Sequence, residues 1–269
     1  MVTAFFDIGT ISKGNVDNVR APDEYRNWMK IFEYVDNPLY VYVDTKENLK
    51  AFKDIRKNLR HKTKIILVEK KDVWGFNLKN NISQIFASPF YPKHHPNTIN
   101  PQYSSAMHAK YGVMKKSIAD NAFGAKHFAW LDIGYFRLVV SKIDKPFGIQ
   151  VPYSFDDRKV AFSRVHEYNN RTLKEIIENN EVWVAGGFFL ADTSIMKLWV
   201  EDYISYAEKF IELGMISTDQ QVIYGMNQPS IYNEAGFPRR RVDVQEYISN
   251  VYDGEYEWFY LGYNCTYDI

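Results

Sequence analysis

The order of apolar and amphipathic segments in the first quarter of the chain constrains the fold more than any other feature of the sequence. Apolar runs typical of buried strands cover residues 2–6, 39–43 and 64–68, and segments with helical spacing at 22–34 and 47–59 lie between them. A strand–helix–strand–helix–strand order is typical of a parallel sheet with right-handed crossovers. We therefore predict an α/β fold with a mostly parallel central sheet flanked by helices.

The later elements are predicted from the same patterns. The tail from residue 231 and the proline-containing residues 72–104 are expected to be irregular. Helices are predicted at about 104–121, 173–178 and 194–213, with a further one beginning near 218, and strands at 128–131, 149–152, 160–162 and 182–190, the last broken by Gly186 and Gly187.

We expect the whole chain, residues 1–269, to form a single domain. Hydrophobic residues make up 46% of the sequence and charged residues 25%, a balance typical of a folded chain with a buried core. The length fits one large α/β domain, and no linker or low-complexity tract interrupts it. Aromatic residues reach 16%, which fits either a thick aromatic core or a cleft that stacks a sugar or a base.

Charge and cysteine content argue against several classes of protein. Lys plus Arg equals Asp plus Glu at 33 each, so a dedicated nucleic-acid-binding protein is not expected. Cys265 is the single cysteine, so we expect no intrachain disulfide and no cysteine-based metal site, and a reducing compartment is favoured. With no secretory signal or membrane span recognisable, we expect a cytoplasmic protein and leave peripheral membrane association open.

Three carboxylates follow predicted strands directly. Asp7, Asp44 and Asp132 stand at the carboxyl ends of apolar runs, and in open parallel sheets ligands bind at that edge. These side chains could bind ribose hydroxyls or a cation, although aspartate is also a good turn former after a strand. Asp132 is the strongest candidate for a ligand-binding carboxylate, because the nearby Gly134 would let a ligand approach the backbone.

Several segments carry a resemblance to known proteins. FAWLDIGYFR at 128–137 and VTAFFDIG at 2–9 are similar to the HtrL/YibB family of bacterial and viral proteins. They are similar, more loosely, to sugar-nucleotide transferases in which a strand ends in Asp-x-Asp. NPLYVYVD at 37–44, VAGGFF at 184–189 and TDQ at 218–220 extend the resemblance in the expected order.

The resemblance implies a GT-A-like, Rossmann-like domain with glycosyltransferase activity. Such an enzyme moves a sugar from a nucleoside diphosphate, here expected to be a UDP-sugar, to a hydroxyl acceptor in glycan or lipopolysaccharide-type biosynthesis. Asp219 would be the catalytic residue, and Gly186, Gly187 and Gln220 would contact the sugar or the acceptor. The donor-binding residues implied in this way are Phe5, Phe6, Asp7, Gly9, Arg20, Asp44, Lys110, Asp132, Gly134 and Arg137.

The metal site of such transferases matches this sequence only in part. Asp132 takes the place of the first Asp of Asp-x-Asp and could hold Mn²⁺ or Mg²⁺, but Gly134 stands where the second would be. The last histidine is His166, so none near the C-terminus completes a metal site. The divalent cation is therefore left open, and Arg137 or the arginine triplet at 239–241 could neutralise the diphosphate instead.

Asp219 has a structural and a functional interpretation. It follows Thr218, which is expected to cap a helix, and a carboxylate in the first turn is favourable there. The functional interpretation is a general base that takes the proton of the acceptor hydroxyl if the reaction inverts configuration.

Two other functions remain open from the sequence. A nucleotidyltransferase would use a similar sheet but needs a glycine-rich, basic loop after the first strand, and Gly9, Lys13, Gly14 and Arg20 form only a sparse version of it. A non-catalytic nucleotide- or sugar-binding protein on the same fold is kept open by Gly134.

Overall fold

A computed structural model describes residues 1–14, 17–251 and 256–269 of the chain. Strands alternate with helices along most of this length. The strands are β1 (Val2–Phe5), β2 (Ile11–Ser12), β3 (Val19–Arg20), β4 (Leu39–Val43), β5 (Thr63–Leu67), β6 (His127–Leu131), β7 (Phe147–Ile149), β8 (Lys159–Arg164), β9 (Val184–Asp192), β10 (Asp243–Tyr247) and β11 (Thr266–Asp268).

Seven of these strands form the central sheet, in the order β10-β8-β9-β6-β1-β4-β5. Parallel pairing joins β1 to β4 and β6, β4 to β5, and β10 to β8. Within the described residues, β9 is the one strand of this sheet that runs against its neighbours. The predicted α/β fold with a mostly parallel sheet is confirmed. Two small antiparallel pairs, β2 with β3 and β7 with β11, lie outside it.

Helices connect the strands and cover both faces of the sheet. Short 3-10 helices occupy Met29–Glu33, Lys57–Lys62 and Lys70–Asp72. The α-helices are α1 (Pro22–Trp28), α2 (Lys46–Ile55), α3 (Trp74–Asn77), α4 (Lys79–Ala87), α5 (Pro101–Asp120), α6 (Leu173–Glu178), α7 (Thr193–Glu212), α8 (Asp219–Met226), α9 (Pro229–Tyr232) and α10 (Tyr256–Asn264).

The alternation of side chains along the strands builds two hydrophobic cores. On β4, Tyr40 and Tyr42 pack into the core that includes α5 and α7, while Val41 and Val43 pack into the core beneath α2 and α10. Successive residues of a strand point to opposite faces, so a fully apolar strand is buried on both. The result is a three-layer arrangement in which the sheet is covered on each side.

The 20-residue helix α5 runs through the first of these cores and carries Lys110. It begins where Asn100 accepts hydrogen bonds from backbone N–H groups of the first turn, with Pro101 at the first helical position. It ends at Asn121, whose φ of 31° is left-handed. These signals define where the helix begins and ends, and its packing into the first core places Lys110 beside the sheet.

Four expectations about secondary structure were wrong. Residues 72–104 are not irregular throughout, because α3 and α4 precede the proline-rich part and bury Phe76, Ile82 and Phe86. The glycines at 186–187 do not break β9, which is continuous. The strand predicted at 149–152 is instead β7, and the tail after residue 231 contains β10, α10 and β11 as well as α9 at its start.

The reversed strand β9 determines what lies beside Asp132. Since β9 runs against β6, its first residues meet the carboxyl end of β6, and Leu131 pairs with Phe188. The N–H of Asp132 then donates to the carbonyl of Gly187 at 2.9 Å. Segments distant in sequence thereby share the edge at which ligands bind to open α/β sheets.

Candidate active site

Two cavities of about 340 and 240 Å³ lie side by side at the carboxyl ends of β1 and β6. We call the larger the aromatic lobe, since Phe5, Tyr25 and Trp28 line it, and the smaller the polar lobe, which is lined by Gly186 and Asp219. Together they form one cleft. The residues that line both lobes are Lys13, Tyr103, Met107, Lys110, Asp132, Arg137, Gly187 and Phe259.

Lys110 lies at the junction of the two lobes. Its ammonium donates to Oδ2 of Asp219 at 2.9 Å and to the carbonyl of Gly186 at 2.9 Å, and it lies 3.5 Å from Oδ1 of Asp132. The indole N–H of Trp130 donates to the same Oδ1 at 2.6 Å. One buried cation thus bridges two carboxylates that lie 87 residues apart in the sequence.

The pKa values of Lys110 and Asp132 are both raised in the cleft. Burial lowers the pKa of Lys110, but the charges of Asp132 and Asp219 outweigh it and raise the pKa above its ordinary value. Lys110 therefore stays protonated. The side chain of Asp132 is 38% exposed through the cleft, yet the surrounding protein removes enough hydration to raise its pKa, against the effects of Lys110 and Trp130.

Asp219 reaches Lys110 from the start of α8. Thr218 is the N-cap, as predicted, and it forms a capping box in which its hydroxyl donates to Oε1 of Gln221 at 2.7 Å. Asp219 itself is buried, with its side chain 3% exposed. A Cβ atom on Gly186 would lie 2.5 Å from Oδ2 of Asp219, so only glycine lets β9 approach this carboxylate so closely.

The segment before Asp219 is held by α5 and α7. His108 lies against the carbonyl of Ser217 through Nε2 at 3.2 Å and against the hydroxyl of Tyr203 through Nδ1 at 2.6 Å. Ser104 also donates to the carbonyl of Ser217 at 2.5 Å. Because a carbonyl only accepts, Nε2 carries the proton of His108 and Nδ1 accepts from Tyr203. Burial lowers the pKa of His108 to about 4, so the ring is neutral.

The aromatic lobe is built by α1 against the end of β1. Phe5 stacks on Tyr25 with ring centroids 5.8 Å apart, and Tyr25 meets Trp28 edge to face at 4.9 Å. Tyr25 and Trp28 are each only half-buried. Flat aromatic walls that remain accessible suit a planar or ring-shaped ligand.

Gly134 is in close contact with this aromatic wall. A Cβ atom placed on it would lie 2.8 Å from Cε3 of Trp28, inside van der Waals contact. The glycine therefore leaves room for an indole of the protein.

Three further cationic side chains line the cleft. Lys13 and Arg137 border both lobes, and Arg20 borders the aromatic lobe, where it pairs with Glu24 at 2.9 Å and lies 5.6 Å from the Trp28 ring. Arg137 lies 4.6 Å from the ring centroid of Phe259. Lys13 is exposed to solvent, yet the nearby protein removes part of the hydration of its ammonium, and this effect together with the charge of Arg137 lowers the pKa of Lys13.

The remaining residues predicted for donor binding are divided between the cleft and its supporting wall. Phe5, Phe6, Asp7 and Gly9 line the aromatic lobe. Asp44 does not line the aromatic lobe, because its carboxylate is turned towards the loop that follows β1. Its two oxygens accept from the N–H of Asp7 at 3.1 Å, and one lies 3.0 Å from Lys70. Asp44 thus holds the β1 loop in place.

Gln220 lines the polar lobe and donates to the carbonyl of Val184 at 3.1 Å. It therefore fixes the start of β9 next to the glycine pair.

The arginine triplet at 239–241 lies away from the cleft. Arg240 pairs with Asp243 at 2.9 Å, and Arg241 pairs with Asp202 at 2.6 Å. None of the three arginines lines either lobe. Neutralisation of a diphosphate by this triplet is therefore not supported, because none of the three lines the cleft and two of them form ion pairs with residues of α7 and β10.

Residues 1–233 match the model of a family described as "Bacterial protein of unknown function (HtrL_YibB)". The chain belongs to the HtrL_YibB family. No curated protein sequence matches it. In the described ranges of this HtrL_YibB protein, no helix has both the length and the apolar character that crossing a bilayer requires.

Tyr25, Trp28 and Lys13 were not predicted as donor-binding residues of this HtrL_YibB cleft, although Phe5 and Phe6 of the same aromatic lobe were. Tyr25 and Trp28 lie in the segment with helical spacing at 22–34, and their spacing of three residues fits core packing equally well. Lys13 was noted only as part of a sparse basic loop. Their proximity to Asp132 depends on how α1 packs over the end of the sheet, for which the local sequence has no signal.

Proposed function

We propose that this protein is a glycosyltransferase that moves a sugar from a nucleoside diphosphate, such as a UDP-sugar, to a hydroxyl of a saccharide acceptor. The observation that carries the proposal is the buried Lys110, which holds Asp132 and Asp219 together at the junction of the two lobes. Clustered titratable groups with shifted pKa values in a cleft are typical of catalytic sites.

The shape of the cleft supports a two-part substrate. The aromatic lobe, with Tyr25 and Trp28 exposed on one wall, suits a nucleobase, which binds well on aromatic faces. The polar lobe, which contains the glycine pair of β9, suits a sugar, whose hydroxyls need polar partners and close backbone approach. The diphosphate of the donor would then cross the junction, next to Lys13 and Arg137.

The two carboxylates suit different roles. Asp219 is buried under Lys110, so it acts by holding the ammonium in place. Asp132 opens into the cleft and has a raised pKa, which favours proton acceptance from an acceptor hydroxyl in an inverting reaction. Sequence reasoning assigned the base to Asp219. We propose that Asp132 is the better placed of the two.

A non-catalytic nucleotide- or sugar-binding protein is the second candidate. The observation that favours it is the same ion pair, because Lys110 occupies one oxygen of each carboxylate. A binding protein needs the cleft but not an accessible base.

A two-step experiment tests the proposal and separates the candidates. Thermal unfolding is measured with UDP and with a panel of UDP-sugars, where a ligand at ~100 times its Kd adds roughly 2.7 kcal/mol of stability. UDP release from any stabilising donor is then followed without acceptor, for the unchanged protein and for Asp132→Asn. Stabilisation with slow UDP release that Asp132→Asn abolishes supports the transferase. Stabilisation without release supports the binding protein, and no stabilisation by any of these ligands contradicts both.

A further inference from the structure

The position of the second Asp in Asp-x-Asp is closed to any side chain. Gly134 faces Trp28, and a Cβ atom there would be 2.8 Å from the indole. A carboxylate at this position would have to displace Trp28 from the aromatic lobe. With glycine at 134 and the indole against it, this position has neither a metal ligand nor the space for one.

The remaining carboxylate of the motif already has a cationic partner. Oδ1 of Asp132 accepts from the indole of Trp130 at 2.6 Å and lies 3.5 Å from the ammonium of Lys110. Mg²⁺ and Mn²⁺ prefer several oxygen ligands, and a protonated lysine beside the carboxylate opposes a second cation there. Among the described residues, no group of three or more His, Cys, Asp or Glu side chains could hold a metal ion. The residues present do not fit a divalent cation at Asp132.

Basic side chains at the junction of the lobes provide the positive charge that a divalent cation would otherwise provide. Lys13 and Arg137 line both lobes and approach Asp132 and Lys110 there. These like charges in one cleft repel each other. Burial lowers the pKa of Lys13 most, and the charge of Arg137 lowers it further, whereas Asp132 raises it. An anion between these cations would relieve the repulsion.

We propose that the cleft binds the diphosphate of the donor directly through Lys13 and Arg137, without a divalent cation. The inference rests on the proposed function for the identity of the anion, a nucleoside diphosphate, but not for the presence of an anion site. Charge-assisted hydrogen bonds from lysine and arginine to phosphate oxygens are among the strongest that a protein forms. They would stabilise the leaving diphosphate as its negative charge grows.

Titration calorimetry of the full chain with UDP and with inorganic pyrophosphate tests this inference. Each titration is run in EDTA and again with Mn²⁺, on the unchanged protein and on Lys13→Gln, Arg137→Gln and Lys13→Arg. The matched control is Lys197→Gln, which removes an exposed positive charge on α7 that lines neither lobe. Circular dichroism confirms that each variant is folded.

We expect both probes to bind in EDTA, with affinity weakened about tenfold or more by either glutamine variant at the cleft. Lys197→Gln should leave the affinity within about threefold, because it removes no charge from the cleft. Lys13→Arg, which keeps the charge, should lose less affinity than Lys13→Gln.

The outcomes also separate the inference from the proposed function. Binding of UDP that requires Mn²⁺ overturns the inference and leaves the transferase proposal standing. Binding of pyrophosphate but not of UDP supports the anion site and contradicts the nucleotide-binding role. Binding of neither probe, or binding that Lys13→Gln and Arg137→Gln do not weaken, overturns the inference.

Discussion

The ammonium of Lys110 lies 2.9 Å from Oδ2 of Asp219, and each side chain is only 3% exposed. Lys110 comes from the middle of α5 and Asp219 from the first turn of α8, 109 residues later in the chain. A buried pair of this kind is costly to break from one side, because the group left behind keeps its charge without a partner. The pair therefore couples the stability of the protein to the geometry of its cleft.

Lys110→Met should destabilise the protein strongly. The substitution keeps most of the length of the side chain but leaves Asp219 buried without a cation, and breaking a buried pair in this way costs roughly 3–5 kcal/mol. Urea unfolding measures the loss, with Lys197→Met as the exposed control. Adding Asp219→Leu to Lys110→Met should recover a large part of it, since the unpaired charge is then gone. A single variant as stable as the unchanged protein would mean that the pair does not form.

Asp132→Asn and Asp219→Asn should differ in their effects on the rate of UDP release and on the stability of the protein. Asp132→Asn is expected to slow UDP release at least ~100-fold with little change in Tm, because the side chain is 38% exposed and asparagine keeps its shape. Asp219→Asn should lower both rate and Tm, since it removes the closest charged partner of Lys110. The rate profile against pH should lose its acidic limb only in Asp132→Asn. Loss of that limb in Asp219→Asn instead would return the role of base to Asp219.

Trp28→Ala should weaken UDP binding without abolishing the fold. Stacking of a base on an aromatic side chain contributes roughly 1–3 kcal/mol, so the Kd should rise by about 5- to 150-fold. The matched control is Phe90→Ala, because Phe90 is 95% exposed and lines neither lobe. Equal affinities for Trp28→Ala and the unchanged protein would place the base elsewhere in the cleft.

Stability should decline as the pH falls through the range set by His108. Burial lowers the pKa of His108 from 6.5 to about 4, so between these values the unfolded chain binds a proton that the native ring does not. The contribution of His108 to the free energy of unfolding is fully present above about pH 6.5. It is lost as the pH falls towards 4, and the complete loss amounts to about 3 kcal/mol.

The measurement is urea unfolding at a series of pH values in this range. His108→Gln should flatten the dependence, and His61→Gln should not, because His61 is exposed. An unchanged slope in His108→Gln would show that other groups cause the decline.

The sequence by itself determined the layered architecture. The apolar runs that became β1, β4 and β5 alternate with helical segments, and this alternation permits few arrangements other than a parallel sheet with helices on it. The same pattern placed Asp7 and Asp132 at one edge, because parallel strands end on the same side. The capping residue Thr218 was also predicted, since capping depends on neighbours within one turn.

Only the tertiary structure decided how these residues act together. The reversal of β9, the Lys110–Asp219 pair and the contact of Trp28 with Gly134 each join segments far apart in the chain. Their geometry depends on the packing of helices over both faces of the sheet, which local periodicity does not encode. Asp44 follows a strand as a ligand-binding carboxylate would, but in the folded protein it binds the N–H of Asp7 and the ammonium of Lys70. It therefore holds the β1 loop, and these tertiary contacts are not encoded by the local sequence.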